Sequence, residues 1–378
     1  MTHVNRPRPA TATTGGLRRR LAELRGPGHA PRPLDARALS ALAANPGCRR
    51  RALLDGAGVD KTALARALGV QGAFGQSQFA FARGHAFEAR VHADGGAELV
   101  RLLRAATADR SPEPAGVAVP DVAADGPEGR AARTRLALEA ADEAGAGVWT
   151  VLVHPMLELD VAGAPVHLEP DAVAVAPDGR RTVIEVKSFP ILDGTADPAK
   201  VGAAVRQSAV YALALEALGG TVADDALLVC PKDFSNLPTA AAVDLRRQLA
   251  AVRRQLTRLT RLADIAAELP EDVSFDVDRP AKELSAAVEA VPAAYAPECL
   301  AACELAFHCR SRARATGDVT ALGRSVRGEL GGLRTVEDVL AAAHGAAGDP
   351  SDPAVAALRR AARLRAEALG ASGGPEAR

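Results

Sequence analysis

Three charged residues interrupt two apolar runs: Asp171 opens "DAVAVA", and Glu185 and Lys187 stand inside "TVIEVKSF". The intervening "PDGR" is a turn signal of the kind that joins antiparallel strands. Side chains alternate along a strand, so Glu185 and Lys187 project from one face, and a paired strand can hold Asp171 beside them. Burying such groups costs desolvation energy unless they face a polar cleft. Two carboxylates and an ammonium in a cleft suit phosphodiester hydrolysis. The carboxylates bind a hard cation such as Mg²⁺ or Mn²⁺ that polarises phosphate and activates water, and the ammonium orients that water or stabilises negative charge. A Glu-x-Lys pair alone is more often a surface ion pair, so its surroundings decide.

Those surroundings have a definite order. A helix is predicted over 76–105, with Phe87, Val91, Leu99 and Leu102 among its apolar residues and Glu88 near its middle; a loop follows over 111–129. After the helical "AARTRLALEAADEA" come "VWTVLVHPMLEL", "APVHLEPDAVAVA" and "RTVIEVKSF", read as a three-strand meander. A helix over 198–218 and a buried strand "DALLVC" complete the order helix, three strands, helix, strand. Gln207 and Tyr211 lie four apart in that second helix, on one face. An amphipathic helix is expected over 243–269, with Leu245, Leu249, Val252, Leu256 and Leu259 opposite Arg246, Arg247, Arg253, Arg254, Arg258 and Arg261.

The segment "EPDAVAVAPDGRRTVIEVKSF" resembles the signature of the PD-(D/E)XK nucleases, with Pro170-Asp171 and Glu185-Val186-Lys187 as its halves. The resemblance is to the RecB-like branch and covers about 41–320. It implies an α/β, restriction-endonuclease-like mixed sheet flanked by helices, and hydrolysis of DNA phosphodiester bonds, with exo- or endonuclease action undecided. It also implies that Gln207 and Tyr211 contact phosphate or the attacking water. In that branch an upstream helix carries Gly followed four residues later by a metal-binding His. Here "GHAFE" puts Glu88 at that place after Gly84. The implied metal ligands are therefore Glu88, Asp171 and Glu185. His154 and His167 read as structural or surface residues.

Five cysteines occur: Cys48, Cys230, Cys299, Cys303 and Cys309. With no apolar export segment, disulfides are disfavoured, and ligation is the reading to test. Cys299-x3-Cys303-x5-Cys309 can converge over successive helical turns, leaving a fourth ligand to be supplied. Cys230 ends an apolar strand and reads as a small buried thiol, whereas Cys48 follows a Pro-Gly turn and is freer to ligate. One Cys before the core and three after it resemble the iron–sulfur staple of CRISPR-associated RecB-like exonucleases and AddB-type nucleases. That implies a 4Fe-4S cluster in a helical region built from both ends of the chain. The family's trailing trio usually begins C-x2-C, whereas this chain has x3, and four thiolates would serve zinc as well. His308 reads as a neighbour of the site.

Formal net charge is zero, so nucleic-acid contact must come from local basic faces. Candidates are Arg49, Arg50 and Arg51 beside Cys48, and Arg253, Arg254 and Arg258 on the amphipathic helix. Residues 1–35, apart from a short helix around 17–24, are expected to be a disordered or loosely attached tail, 36–320 the nuclease domain, and 321–378 a small helical segment with a frayed end. A cytoplasmic protein is expected, acting on DNA alone or with a helicase or a repair or defence complex. Two alternatives stay open: a catalytically silent nuclease-fold protein that binds DNA or assembles a complex, and a zinc-stapled protein of unrelated function.

Overall fold

A computed structural model describes residues 14–70, 78–109, 114–144, 147–161, 164–233 and 235–371. The architecture is α/β, built around a six-stranded mixed sheet. Its strands, in spatial order, are β1 (Gly116–Ala118), β2 (Val148–Val153), β5 (Ala172–Val175), β6 (Arg181–Val186), β7 (Asp225–Pro231) and β8 (Pro238–Asp244). A separate two-stranded hairpin comprises β3 (Leu157–Val161) and β4 (Ala164–Leu168). β2, β5 and β6 are antiparallel neighbours; β7 lies parallel to β6, β1 parallel to β2, and β8 antiparallel to β7.

The helices before the sheet are α1 (Thr14–Arg25), α2 (Ala36–Ala44), α3 (Arg49–Gly56), α4 (Lys61–Ala67), α5 (Gln78–Val91) and α6 (Ala97–Ala106). Within it come α7 (Gly126–Glu143) and α8 (Pro198–Ala217), the latter forming the crossover between β6 and β7. After it come α9 (Arg246–Leu256), α10 (Leu262–Ala267), α11 (Ala281–Glu289), α12 (Ala306–Ala315), α13 (Arg324–Glu329), α14 (Val336–Ala343) and α15 (Pro353–Ala371). Short 3₁₀ turns cover Pro297–Ala301 and Val319–Leu322.

Strand alternation divides the core into two layers. Val151, Ala172, Ala174 and Ile184 pack with Phe87, Val91, Leu99 and Leu102 of α5 and α6. Leu152, Val173, Val175 and Val183 pack on the opposite face, with Ala209, Val210 and Leu215 of α8 and Leu39 and Leu42 of α2. The period of two thus sends successive β5 residues to opposite helical layers. Glu185 has the parity of Val183 and so belongs to the α8 face.

The three β-branched runs fold as five strands. "VWTVLVHPMLEL" breaks at His154, whose φ is +47°, and at Pro155; "APVHLEPDAVAVA" breaks at Pro170. A proline nitrogen cannot donate to a ladder, so the β3–β4 hairpin leaves the sheet and the meander is β2–β5–β6. The helix expected over 76–105 is two helices. Gly95 and Gly96 take φ of +68° and +83° between them, and a Cβ on Gly96 would lie 3.1 Å from Val151 Cβ of β2. Residues 76 and 77 lie outside the described residues.

The helix expected over 243–269 begins after β8, ends at Leu256 and resumes as α10, with Leu245, Val252 and Leu256 buried as its stripe predicts. β1 and β8 fall in segments read as loop or helix. The tail assignment is also corrected: α1 places Leu24 in the core with no exposed surface, and the Leu24 carbonyl accepts from Phe275 N–H at 2.7 Å. Residues 1–13 and 372–378 lie outside the described residues. The C-terminal segment is helical as expected, with α14 and α15 packed together and a Thr335/Asp338 capping box starting α14.

Candidate active site

The two halves of the carboxylate motif meet at the ends of β5 and β6. Ala172 pairs with Ile184, which puts Asp171 level with the residues that follow Ile184. There the Val186 N–H donates to Asp171 Oδ2 at 2.6 Å. The His154 N–H donates to the Asp171 carbonyl at 3.1 Å, so Asp171 is tied to both neighbouring strands.

Glu185 is only 1% exposed; Lys187 Nζ stands against Oε1 as an ion pair, and Oε2 has no donor. Burial pushes the Glu185 carboxyl up to about 8; Lys187 opposes that rise, while the negative charges of Asp171 and Glu88 add to it. Burial alone would lower Lys187, but Glu185 and Asp171 outweigh it and hold the ammonium above its ordinary range. Asp171, Glu185 and Lys187 are thus brought together at the strand ends, and the Glu88 charge acts on Glu185. Among the described residues the oxygens of Glu88, Asp171 and Glu185 do not form a group within 4.8 Å of one another.

α5 meets the residues after β6 at Gly84, where a Cβ would sit in ordinary van der Waals contact, 3.8 Å from Ser188 Cβ. One turn later Glu88 faces the site, and Oε1 lies 3.5 Å from His154 Nε2. His85, off register by sequence, is exposed.

Gln207 and Tyr211 share a face of α8, as their spacing predicts, but their contacts correct the role expected for Tyr211. Its ring is 4% exposed and its hydroxyl donates to the Glu169 carbonyl at 2.9 Å, while Gln207 Nε2 donates to that hydroxyl at 3.2 Å. The tyrosine proton is therefore committed to the backbone just before Pro170-Asp171. Burial, followed by the Glu185 charge, raises its pKa. Tyr211 is thereby bound to the turn that precedes Asp171. Arg130 of α7 holds the same turn, donating to the His154 carbonyl at 2.8 Å and pairing with Glu169 at 3.0 Å.

The sequence did not single out His92, and His154 was read there as a structural or surface residue. Glu88, His92 and His154 each offer a ligand atom, all within 4.8 Å of one another. The Glu88-x3-His92 spacing at the end of a helix was the available signal; nothing local marked His154, which follows β2. His167 lies on the hairpin opposite Glu158, with Nε2 3.5 Å from Glu158 Oε2, as a structural residue would.

The cysteines form a second constellation. Cys48, at the N-cap of α3, lines one small apolar cavity with Cys299, Cys303 and Cys309. Cys230 instead lies on β7 with Ala204 and Leu228, its thiol pushed up to about 12 by burial. Asn45 Nδ2 donates to Cys299 Sγ at 3.5 Å and an Arg50 guanidinium N–H to Cys309 Sγ at 3.2 Å. Burial pushes Cys303 up to about 12 against the pull of Arg51, and also raises Cys309 against Arg50. Four thiols, Cys48 buried and the other three half-buried, with one amide and one guanidinium N–H donor, form a site that a bound metal would ionise. His308 is half-buried beside it, with Nε2 lacking a partner.

This arrangement corrects two of the arginines expected to meet DNA. Arg50 and Arg51 are 7% and 6% exposed; Arg50 donates to the Val291 carbonyl at 3.1 Å, and Arg51 binds Asp55 at 3.0 Å and the Ala302 carbonyl. They hold the cysteine region together and cannot reach a phosphate. Arg49 pairs with Glu268 at 2.7 Å and Arg253 with Glu216, while Arg254 and Arg258 are exposed.

Fold and site together define an α/β protein with a mixed six-stranded sheet and a buried acid–lysine cluster at its strand ends. No protein-family model and no curated protein matches the chain. A solved structure titled "Crystal structure of SSO0001" aligns over 64% of this chain and 83% of its own, at 11% identity and a TM-score of 0.20, a likeness too weak to carry an argument. Among the described residues no helix is long and apolar enough to cross a membrane.

Proposed function

We propose that this chain is a metal-dependent DNA nuclease of the PD-(D/E)XK class, RecB-like branch, with its core in the helix, β2–β5–β6, α8, β7 order. The observation that carries the reading is Glu185, a carboxylate 1% exposed whose Oε1 faces the Lys187 ammonium and whose Oε2 has no donor, with the charges of Asp171 and Glu88 acting on it. A buried carboxylate oxygen left without a donor is costly, and a cation placed there offsets that cost.

Glu88, Asp171 and Glu185 would hold Mg²⁺ or Mn²⁺. When bound, the cation supplies charge neutralisation on the phosphate and an acidified water. Lys187 places a fixed ammonium where charge builds on the phosphate or attacking oxygen. Asp171 is held by the Val186 N–H and, through Glu169, by Tyr211 and Arg130, so its carboxylate meets substrate without reorganising. Arg254 and Arg258 of the α9 region offer exposed charge for tracking the DNA backbone. Action alongside a helicase or a repair or defence complex in the cytoplasm accords with the family resemblance.

Cys48, Cys299, Cys303 and Cys309 fit a structural 4Fe-4S cluster stapling α2–α3 to the C-terminal helices. Four thiolates would serve zinc as well, and the cluster is preferred on the resemblance, one cysteine before the core and three after it.

The test is cleavage of single- and double-stranded DNA with Mn²⁺ by wild type and Lys187→Ala. Cleavage by the wild type that persists undiminished in Lys187→Ala would sink the proposed site.

A further inference from the structure

We infer that Glu88, His92 and His154 form a second cation site, with an imidazole-rich ligand set that takes a transition-metal dication of the Zn²⁺ type. It goes beyond the oxygen-only set of Glu88, Asp171 and Glu185, because two of its three ligands are nitrogen and lie on elements the carboxylate motif does not include.

Geometry carries the inference. His154 Nε2 and Glu88 Oε1 are 3.5 Å apart, close to the separation of two ligands on a tetrahedral ion with bonds of about 2.0–2.1 Å. The third ligand atom, from His92, lies within 4.8 Å of both. His92 supplies the independent observation: both of its ring nitrogens are buried and neither has a hydrogen-bonding partner. The residue is half-buried, yet its two nitrogens are shielded from solvent and unbonded within the protein, so the ring is placed for a ligand and not for a protein contact. The His92 and His154 rings are 5.8 Å apart between centroids and tilted by 50°, so they converge without stacking.

The site is also braced. His154 Nδ1 faces Glu169 Oε1 at 3.8 Å, on the side of the ring away from Glu88 and beyond direct hydrogen-bond distance. Glu169 is itself held by Arg130. His154 keeps φ of +47°, a left-handed conformation uncommon for a non-glycine residue, and its carbonyl is fixed by Arg130. Two imidazoles and one carboxylate leave a fourth position open, as in catalytic zinc sites, and imidazole favours Zn²⁺ over Mg²⁺. Glu88 belongs to both ligand sets, which would place the two cations side by side.

The test counts Zn²⁺ bound to the full chain, isolated with its cysteine site filled and freed of loosely held metal. Wild type is expected to bind one equivalent more than His92→Ala/His154→Ala, and Asp171→Asn is expected to keep that equivalent. Equal stoichiometry in wild type and the double variant overturns the proposal. Should the double variant not fold, wild-type crystals grown with Zn²⁺ decide: an anomalous peak at the zinc edge within bonding distance of His92 and His154 upholds the site, and its absence overturns it. The two readings fail separately. Zinc at this site with no DNA cleavage would retire the nuclease and keep the site, whereas Mn²⁺-dependent cleavage with no zinc equivalent lost in the double variant would do the reverse.

Discussion

The Val186 N–H donates to Asp171 Oδ2 at 2.6 Å, joining the two halves of the carboxylate motif across neighbouring strands. Val186 sits between Glu185 and Lys187, so this one bond sets where the acid of β5 stands relative to the acid and ammonium of β6.

Asp171→Asn tests charge without removing that bond, because the amide oxygen still accepts from Val186. Mn²⁺-dependent cleavage should fall by about 100-fold or more, the usual consequence of losing a charged group at such a centre, with melting temperature little changed. Full activity in Asp171→Asn would remove Asp171 from the mechanism.

Stability of the metal-free protein should fall as pH rises from about 4.5 to about 8. Glu185 has a folded pKa raised to about 8, so across that window the folded state keeps a proton the unfolded state has released. Each pH unit then costs roughly 1.4 kcal/mol. Denaturant titrations at pH 5 and pH 8 should show this slope in wild type and a smaller one in Glu185→Gln. Added Mn²⁺ should stabilise wild type more at pH 8 than at pH 5; a pH-independent effect would place the metal elsewhere.

Tyr211→Phe removes the hydroxyl that binds the Glu169 carbonyl. It should cost about 1 kcal/mol of stability. It should also lower kcat roughly tenfold to a hundredfold by loosening Asp171, with KM nearly unchanged. A raised KM with kcat preserved would instead indicate a direct substrate contact.

The cysteines should divide four to one. Anaerobically purified wild type and Cys230→Ala should carry equal iron and sulfide, while Cys48→Ser and Cys309→Ser should lose both along with thermal stability. A colourless, zinc-loaded wild type would end the cluster proposal.

The arginines should separate by readout. Arg254→Ala/Arg258→Ala should weaken DNA binding and flatten its salt dependence. Arg50→Ala should destabilise the fold by about 1–3 kcal/mol by stranding the Val291 carbonyl, leaving the salt slope of DNA binding unchanged. A shallower slope in Arg50→Ala would mean that this guanidinium reaches phosphate after all.

Much of the site was legible because its information is local. The alternation of "DAVAVA" and "TVIEVK" dictates which faces Asp171, Glu185 and Lys187 occupy, the turn between them dictates antiparallel pairing, and i,i+4 spacing puts Gln207 beside Tyr211. The same local rules read Cys230 as a strand thiol and Cys48 as a helix-start residue. They failed where punctuation was misjudged: the prolines and His154 that detach β3–β4, the Gly95-Gly96 break, and the short strands β1 and β8.

What tertiary structure alone decided is which distant groups became neighbours. No periodicity links His92 of the α5 exit to His154 of the β2 exit; packing of α5 against the sheet brings them together through Phe87 and Val91. Arg49, Arg50 and Arg51 are identical in type and adjacent in sequence. Yet α3 buries two of them against 291–309, because a helix packed on one side must turn part of any consecutive run inward. Side-chain type and spacing determined the chemistry this chain can offer at each place. Burial, which depends on the whole chain collapsing around one sheet, decided which of those groups stand without a hydrogen-bond partner.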